Sequence, residues 1–130
     1  MTKKEHIDYW LESAEYDLQA SESIFQSGYY VWTLFIGHLV LEKAIKAIYV
    51  QNSDNKVPPK IHNLIKLANL SNIFLNDNQT EIFDDINTFH IEGRYSEFKN
   101  ELYKLCTKEF TFNNLNNIRE QFKWLKSLIK

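Results

Sequence analysis

Apolar residues are densest between positions 29 and 49, in YYVWTLFIGHLVLEKAIKAIY. That length accommodates about six helical turns at ~3.6 residues per turn. Trp32, Leu34, Phe35, Ile36, Leu39, Val40, Leu41, Ala44, Ile45, Ala47 and Ile48 cover almost the whole circumference of such a helix. A helix that is apolar nearly all round belongs in the middle of a fold, not on its surface. Three polar residues interrupt it, His38, Glu42 and Lys46. Spaced four apart, they share one narrow face.

The flanking sequence carries single stripes instead. Ile7, Leu11, Ala14, Leu18, Ser21 and Phe25 recur at helical spacing and predict a helix over 5–27. Gly28 follows and suits the left-handed position that ends a helix, so this helix and the central one are expected as antiparallel neighbours. Tyr9 and Tyr16 mark a second line on the first helix, read as bundle packing, with a partner surface as the alternative. The central helix is expected to end near Gln51. NSDNKVPPK at 52–60 reads as a loop, because its Asn, Ser, Asp and paired prolines disfavour helix.

A short helix is expected over 62–70, with Leu64, Leu67 and Ala68 inward. A longer one follows over 78–91, capped by Asp77 or Asn78 and striped by Ile82, Ile86 and Phe89. Gly93 interrupts that pattern. Ser96 opens a short helix reaching Leu105, and the last helix covers 111–129 with Leu115, Ile118, Phe122, Leu125 and Ile129 as its stripe. Lys123, Lys126 and Lys130 lie near its C-terminal end, where the helix dipole favours cations. Four long amphipathic helices with short connections predict an all-α fold, an antiparallel up-down four-helix bundle with a short additional helix, as one domain over 1–130.

Composition changes this picture little. Three glycines and two prolines are too few for an all-β chain. A net charge of −2 gives no general argument for nucleic acid. Cys106 is the only cysteine, so no internal disulfide and no cysteine-based zinc site are expected, and a reducing cytoplasmic setting fits. No apolar stretch follows the charged start, so no secretory signal is expected. The 29–50 run is not expected to span a membrane, because His38, Glu42, Lys43 and Lys46 lie within it, at ~2.5–3.5 kcal/mol for each central charge.

Several segments together resemble the HEPN domain family: WLESAEYDLQASESIFQSGYY, WTLFIGHLVLEKAIKAIYV, VPPKIHNL, INTFHIEGRYSEFK and LYKLCTKEF, in that order. The resemblance implies an up-down four-helix bundle with a short extra helix, a homodimer, and a polar groove near the dimer interface. It also implies partnership with a small nucleotidyltransferase of the MNT type in toxin–antitoxin pairs. Other members are RNases or proposed nucleotide binders. The RNase members carry Arg, four to six residues, then His. After Arg94 the corresponding positions hold Lys99, Asn100 and Glu101, and after Arg119 they hold Trp124, Leu125 and Lys126. Metal-independent RNA cleavage needs a group that exchanges a proton near neutral pH, which His does and Lys at ~10.4 does not. RNase activity is therefore not carried over.

Two constellations remain. His38–Glu42–Lys46 offers an ion pair and a His–Glu pair, read as a polar seam at a solvent edge or dimer interface, as a ligand contact, or as an acid–base catalytic pair. Glu92–Gly93–Arg94–Tyr95 offers a guanidinium fork for phosphate and a ring for base stacking, or else Arg94 pairs with a carboxylate such as Glu42 to fix a bend. His62, at a helix start, is expected to cap or contact backbone. Asp84 and Asp85 read as a solvated face. No metal motif surrounds His90, and no Walker, dinucleotide or nucleotidyltransferase motif is present, so neither metal nor cofactor is expected. The expectation is a non-enzymatic interaction module that contacts a nucleotide or RNA through Arg94, Tyr95, Glu92, His38, Glu42 and Lys46. The alternative is a divergent ribonuclease or toxin using Arg94 with His38 or His90.

Overall fold

The computed structural model describes the backbone at every position except 56 and 95, and the side chains of residues 1–55, 57–90 and 100–130. It is all-helical over the described residues, a helical bundle of α1 (Lys3–Gln26), α2 (Tyr30–Asn52), α3 (Leu64–Leu70), α4 (Asp77–Arg94), α5 (Ser96–Leu105) and α6 (Lys108–Ser127). The four long helices are α1, α2, α4 and α6. Two short helices are present where the family pattern implies one. Among the described residues, no helix is long and apolar enough to cross a membrane.

α2 is the axis of the bundle and touches all five other helices. Its Leu34, Leu41, Ile45 and Ile48 are fully enclosed, and Phe83, Ile86, Ile118 and Phe122 close on them from α4 and α6. Burying a large apolar side chain stabilises by ~1.5–3 kcal/mol, so this run supplies much of the driving force. At Gly37, Ile118 of α6 packs directly against α2. A Cβ at that position would overlap Cδ1 of Ile118.

α1 packs along α2 after the tight link 27–29. Gly28 adopts φ +85°, which side chains rarely tolerate, and so reverses the chain within that link. Polar ties fix the register of the pair. Ser21 Oγ donates to the Thr33 carbonyl at 2.7 Å, Lys43 Nζ lies 2.7 Å from Asp17, and it donates to Ser13 Oγ at 2.8 Å. Of the α1 stripe, Ala14, Ser21 and Phe25 are buried, while Ile7, Leu11 and Leu18 are half-buried. Tyr9 and Tyr16 are exposed, which corrects their reading as bundle packing, since the apolar stripe lies on another face of α1.

Helix ends differ from expectation where a cap sits earlier. Thr107 accepts from the Phe110 N–H and starts α6 at Lys108, not 111. Asn76 and Gln79 bond each other's backbone reciprocally, so α4 is capped by Asn76, one residue before the expected pair. Asn63, not His62, caps α3, taking the N–H groups of Ile65 and Lys66. Asp84 and Asp85 are exposed, as expected.

Candidate functional site

The polar face of α2 lies inside the molecule. His38, Glu42 and Lys46 are all buried, which corrects the expectation of a solvent edge. His62, just ahead of α3, His90 of α4 and Trp10 of α1 pack against it.

His38 is 0 % exposed, and its Nε2 lies 2.8 Å from the His62 carbonyl oxygen. A carbonyl only accepts, so His38 carries its proton on Nε2 and presents a lone pair at Nδ1. That Nδ1 has no hydrogen-bond partner among the described residues and lies 3.9 Å from Glu42 Oε1. Burial pushes the His38 imidazole down to about 4, helped by the neighbouring His90 and opposed by Glu42, so it is neutral at pH 7.

Glu42 receives Lys46 Nζ on Oε2 at 3.0 Å and the His62 Nδ1–H on Oε1 at 2.8 Å. Burial alone would raise its pKa. The His62 and Lys46 hydrogen bonds and the Lys46 charge outweigh burial and hold the carboxyl below its ordinary range, as an anion. Lys46 in turn sits over the Trp10 ring, with Nζ 5.4 Å from its centroid.

His62 and His90 complete the cluster. The His62 side chain is 52 % exposed, so one ring nitrogen is held by Glu42 while the ring stays half in solvent. That is the arrangement of an oriented acid–base histidine. His90 is buried, stacked on Phe35 at 5.3 Å, with its ring centroid 4.8 Å from His62 and 4.5 Å from His38. Asn87 anchors the floor. It accepts the Leu64 N–H at 2.8 Å and donates to Asn63 at 3.3 Å. A cavity of about 70 Å³ remains between His62, Asn63, Asn87 and His90. Small-molecule sites run to ~300 Å³ and above, so this one has room for water or a single ion and is too small for a nucleotide.

The structure therefore brings His38, Glu42 and Lys46 together with two histidines that were read separately. His62 was expected to contact backbone; its ring instead binds Glu42 and its carbonyl holds His38. Among the described residues, Lys46 and His62 hold the Glu42 carboxylate. The side chains of Glu92, Arg94 and Tyr95 lie outside the described residues. A second concavity of about 230 Å³ is lined by Met1, His6, Tyr9, Trp10, Val57 and Pro58. It adjoins the cluster through Trp10 and is apolar.

No curated protein and no solved structure matches the chain at a significant level. A model of the HEPN domain family matches residues 7–128, nearly the whole length. With its helical bundle and that match, the chain belongs to the HEPN domain family.

Proposed function

We propose that this chain is a non-catalytic HEPN module that works by binding, as a homodimer and as the partner of a small MNT-type nucleotidyltransferase in a toxin–antitoxin-like pair. Nucleotide or RNA contact would run through the Arg94 segment. The observation that carries this reading is the enclosure of His38 and His90. Both are buried, and the cavity beside them measures about 70 Å³. A proton-transfer group must come within hydrogen-bond reach of its substrate, and a nucleotide does not fit there. The exposed Tyr9 and Tyr16 on α1 support an interaction role, since aromatic side chains are enriched at protein contacts.

The test is co-expression with the product of the adjacent gene, followed by light scattering on the purified chain. The reading expects a dimer that co-purifies with a nucleotidyltransferase. A monomer beside an unrelated neighbour would remove its support.

A second reading rests on His62. Its half-exposed ring, oriented by an anionic Glu42, is the acid–base pair that a divergent ribonuclease or toxin would use with Arg94. Expression of the chain alone separates the two. Growth arrest that is lost in both Arg94→Ala and His62→Ala favours the enzyme, and normal growth favours the binding module.

A further inference from the structure

Three donor atoms, one each from His38, Glu42 and His90, lie within 4.8 Å of one another, and all three residues are buried. They come from two helices and form no sequence motif. Two features mark them as more than packed polar groups. The first is the His38 tautomer. Its Nε2–H is committed to the His62 carbonyl, so the lone pair on Nδ1 is aimed inward beside Glu42 Oε1, 3.9 Å away. A buried lone pair that has no donor among the described residues and faces a carboxylate is unfavourable unless something positive sits there. The second is the outer hydrogen bond itself. A metal-binding histidine typically donates its other ring N–H to a backbone carbonyl or carboxylate, which fixes ring and tautomer.

We infer that His38, Glu42 and His90 form a site for one divalent first-row cation such as Zn²⁺, held by two imidazole nitrogens and one carboxylate oxygen with a fourth position open toward His62 and the small cavity. Two nitrogens and one oxygen are a donor set that Zn²⁺ accepts, at bonds of ~2.0–2.2 Å, so the donors must draw together on binding. The neighbours are compatible. Lys46 occupies Glu42 Oε2 and leaves Oε1, which has lone pairs for both the His62 N–H and an ion. The Phe35 stack fixes the His90 ring plane. The neutral state of His38 leaves its lone pair available at pH 7. This site is independent of the proposed partner, so the two ideas fail separately.

The test uses the full, tag-free chain, stripped with a chelator and dialysed. Zn²⁺ is titrated by calorimetry, and Co²⁺ is titrated by visible absorption. The expected result is one ion per chain and Co²⁺ bands of tetrahedral nitrogen–oxygen coordination. Glu42→Gln and His90→Phe should each weaken binding at least ~10-fold. His90→Phe keeps an aromatic ring on Phe35, so it remains informative if Glu42→Gln fails to fold, with helicity by circular dichroism as the check. His6→Ala should bind like the parent chain. Absence of saturable binding, or unchanged affinity in His90→Phe, overturns the inference.

Discussion

Exchanging the two partners of the buried ion pair on α2 gives the sharpest energetic prediction. The Glu42 and Lys46 side chains are 5 % and 10 % exposed, with Nζ and Oε2 3.0 Å apart. Lys46→Met keeps the apolar stem against Trp10 and removes the ammonium. Glu42→Gln keeps shape and removes the charge. Each single change leaves its partner as a buried, unbalanced charge, which costs about 3–5 kcal/mol in enclosed pairs. The His62 hydrogen bond remains to relieve Glu42, so Lys46→Met belongs at the lower end. The double variant leaves no isolated charge, and its cost is expected to lie near that of one single variant. The coupling energy then equals the other single loss, about 3–5 kcal/mol, well beyond the ~0.5 kcal/mol expected for independent sites. Urea unfolding of all four proteins at pH 7, with chelator present, measures it through the midpoint at constant slope. Additive losses would refute the claim that the seam is one buried, mutually dependent unit.

Three further outcomes follow from the same structure. Gly37→Ala should destabilise in thermal melts, because overlap with Ile118 costs about 1–3 kcal/mol against roughly 1 kcal/mol of gained helix propensity; adding Ile118→Val, which removes the overlapping methyl, should restore most of the loss. Asn87→Ala should cost about 1–3 kcal/mol in urea and speed hydrogen exchange at the Leu64 amide, which loses its only described acceptor. In metal-free protein, acid should weaken the fold before the carboxylates titrate. His38 is faced by Glu42 from its own helix, with Lys46 on the other oxygen of that carboxylate, and by His62 and His90 from the elements packed on it, and its folded-state value of about 4 lies below the ordinary ~6.5. The unfolded chain then binds the proton more strongly. The stability is fully present above pH ~6.5 and is lost as pH falls toward 4, by about 2 kcal/mol between pH 7 and 5. His38→Gln, which still donates to the His62 carbonyl, should flatten that slope, and an unchanged slope would contradict the assignment.

The sequence shows the fold more readily than the site for a physical reason. The 29–49 run is apolar on nearly every side, so its central place follows from local periodicity alone, and Gly28 marks the positive-φ reversal between α1 and α2. Caps such as Asn76 and Thr107 are also local, but short polar residues are frequent around them and the competing candidates Asp77 and Asn78 stand next in line. Three of the five cluster residues, His38, Glu42 and Lys46, are visible because one helix carries them. The other two are not. His62 reaches Glu42 from a loop segment twenty residues away, and His90 arrives on α4. Only the packing of α3 and α4 on α2 brings those rings within 5 Å of His38 or each other. The one usable signal for His62 was its place just ahead of the Asn63 cap, which fixes where its carbonyl and ring can point.

The central proposal is that this HEPN module binds and does not cut: His38 and His90 are buried, and no histidine follows Arg94 at the spacing that the RNase members carry. Incubating the purified, full-length chain with a labelled pool of structured RNAs, and sequencing the ends, tests it most directly. The account predicts RNA that stays intact over hours at stoichiometric protein, with the same profile for Arg94→Ala and His62→Ala. Cleavage by the parent chain that disappears in either variant would contradict it.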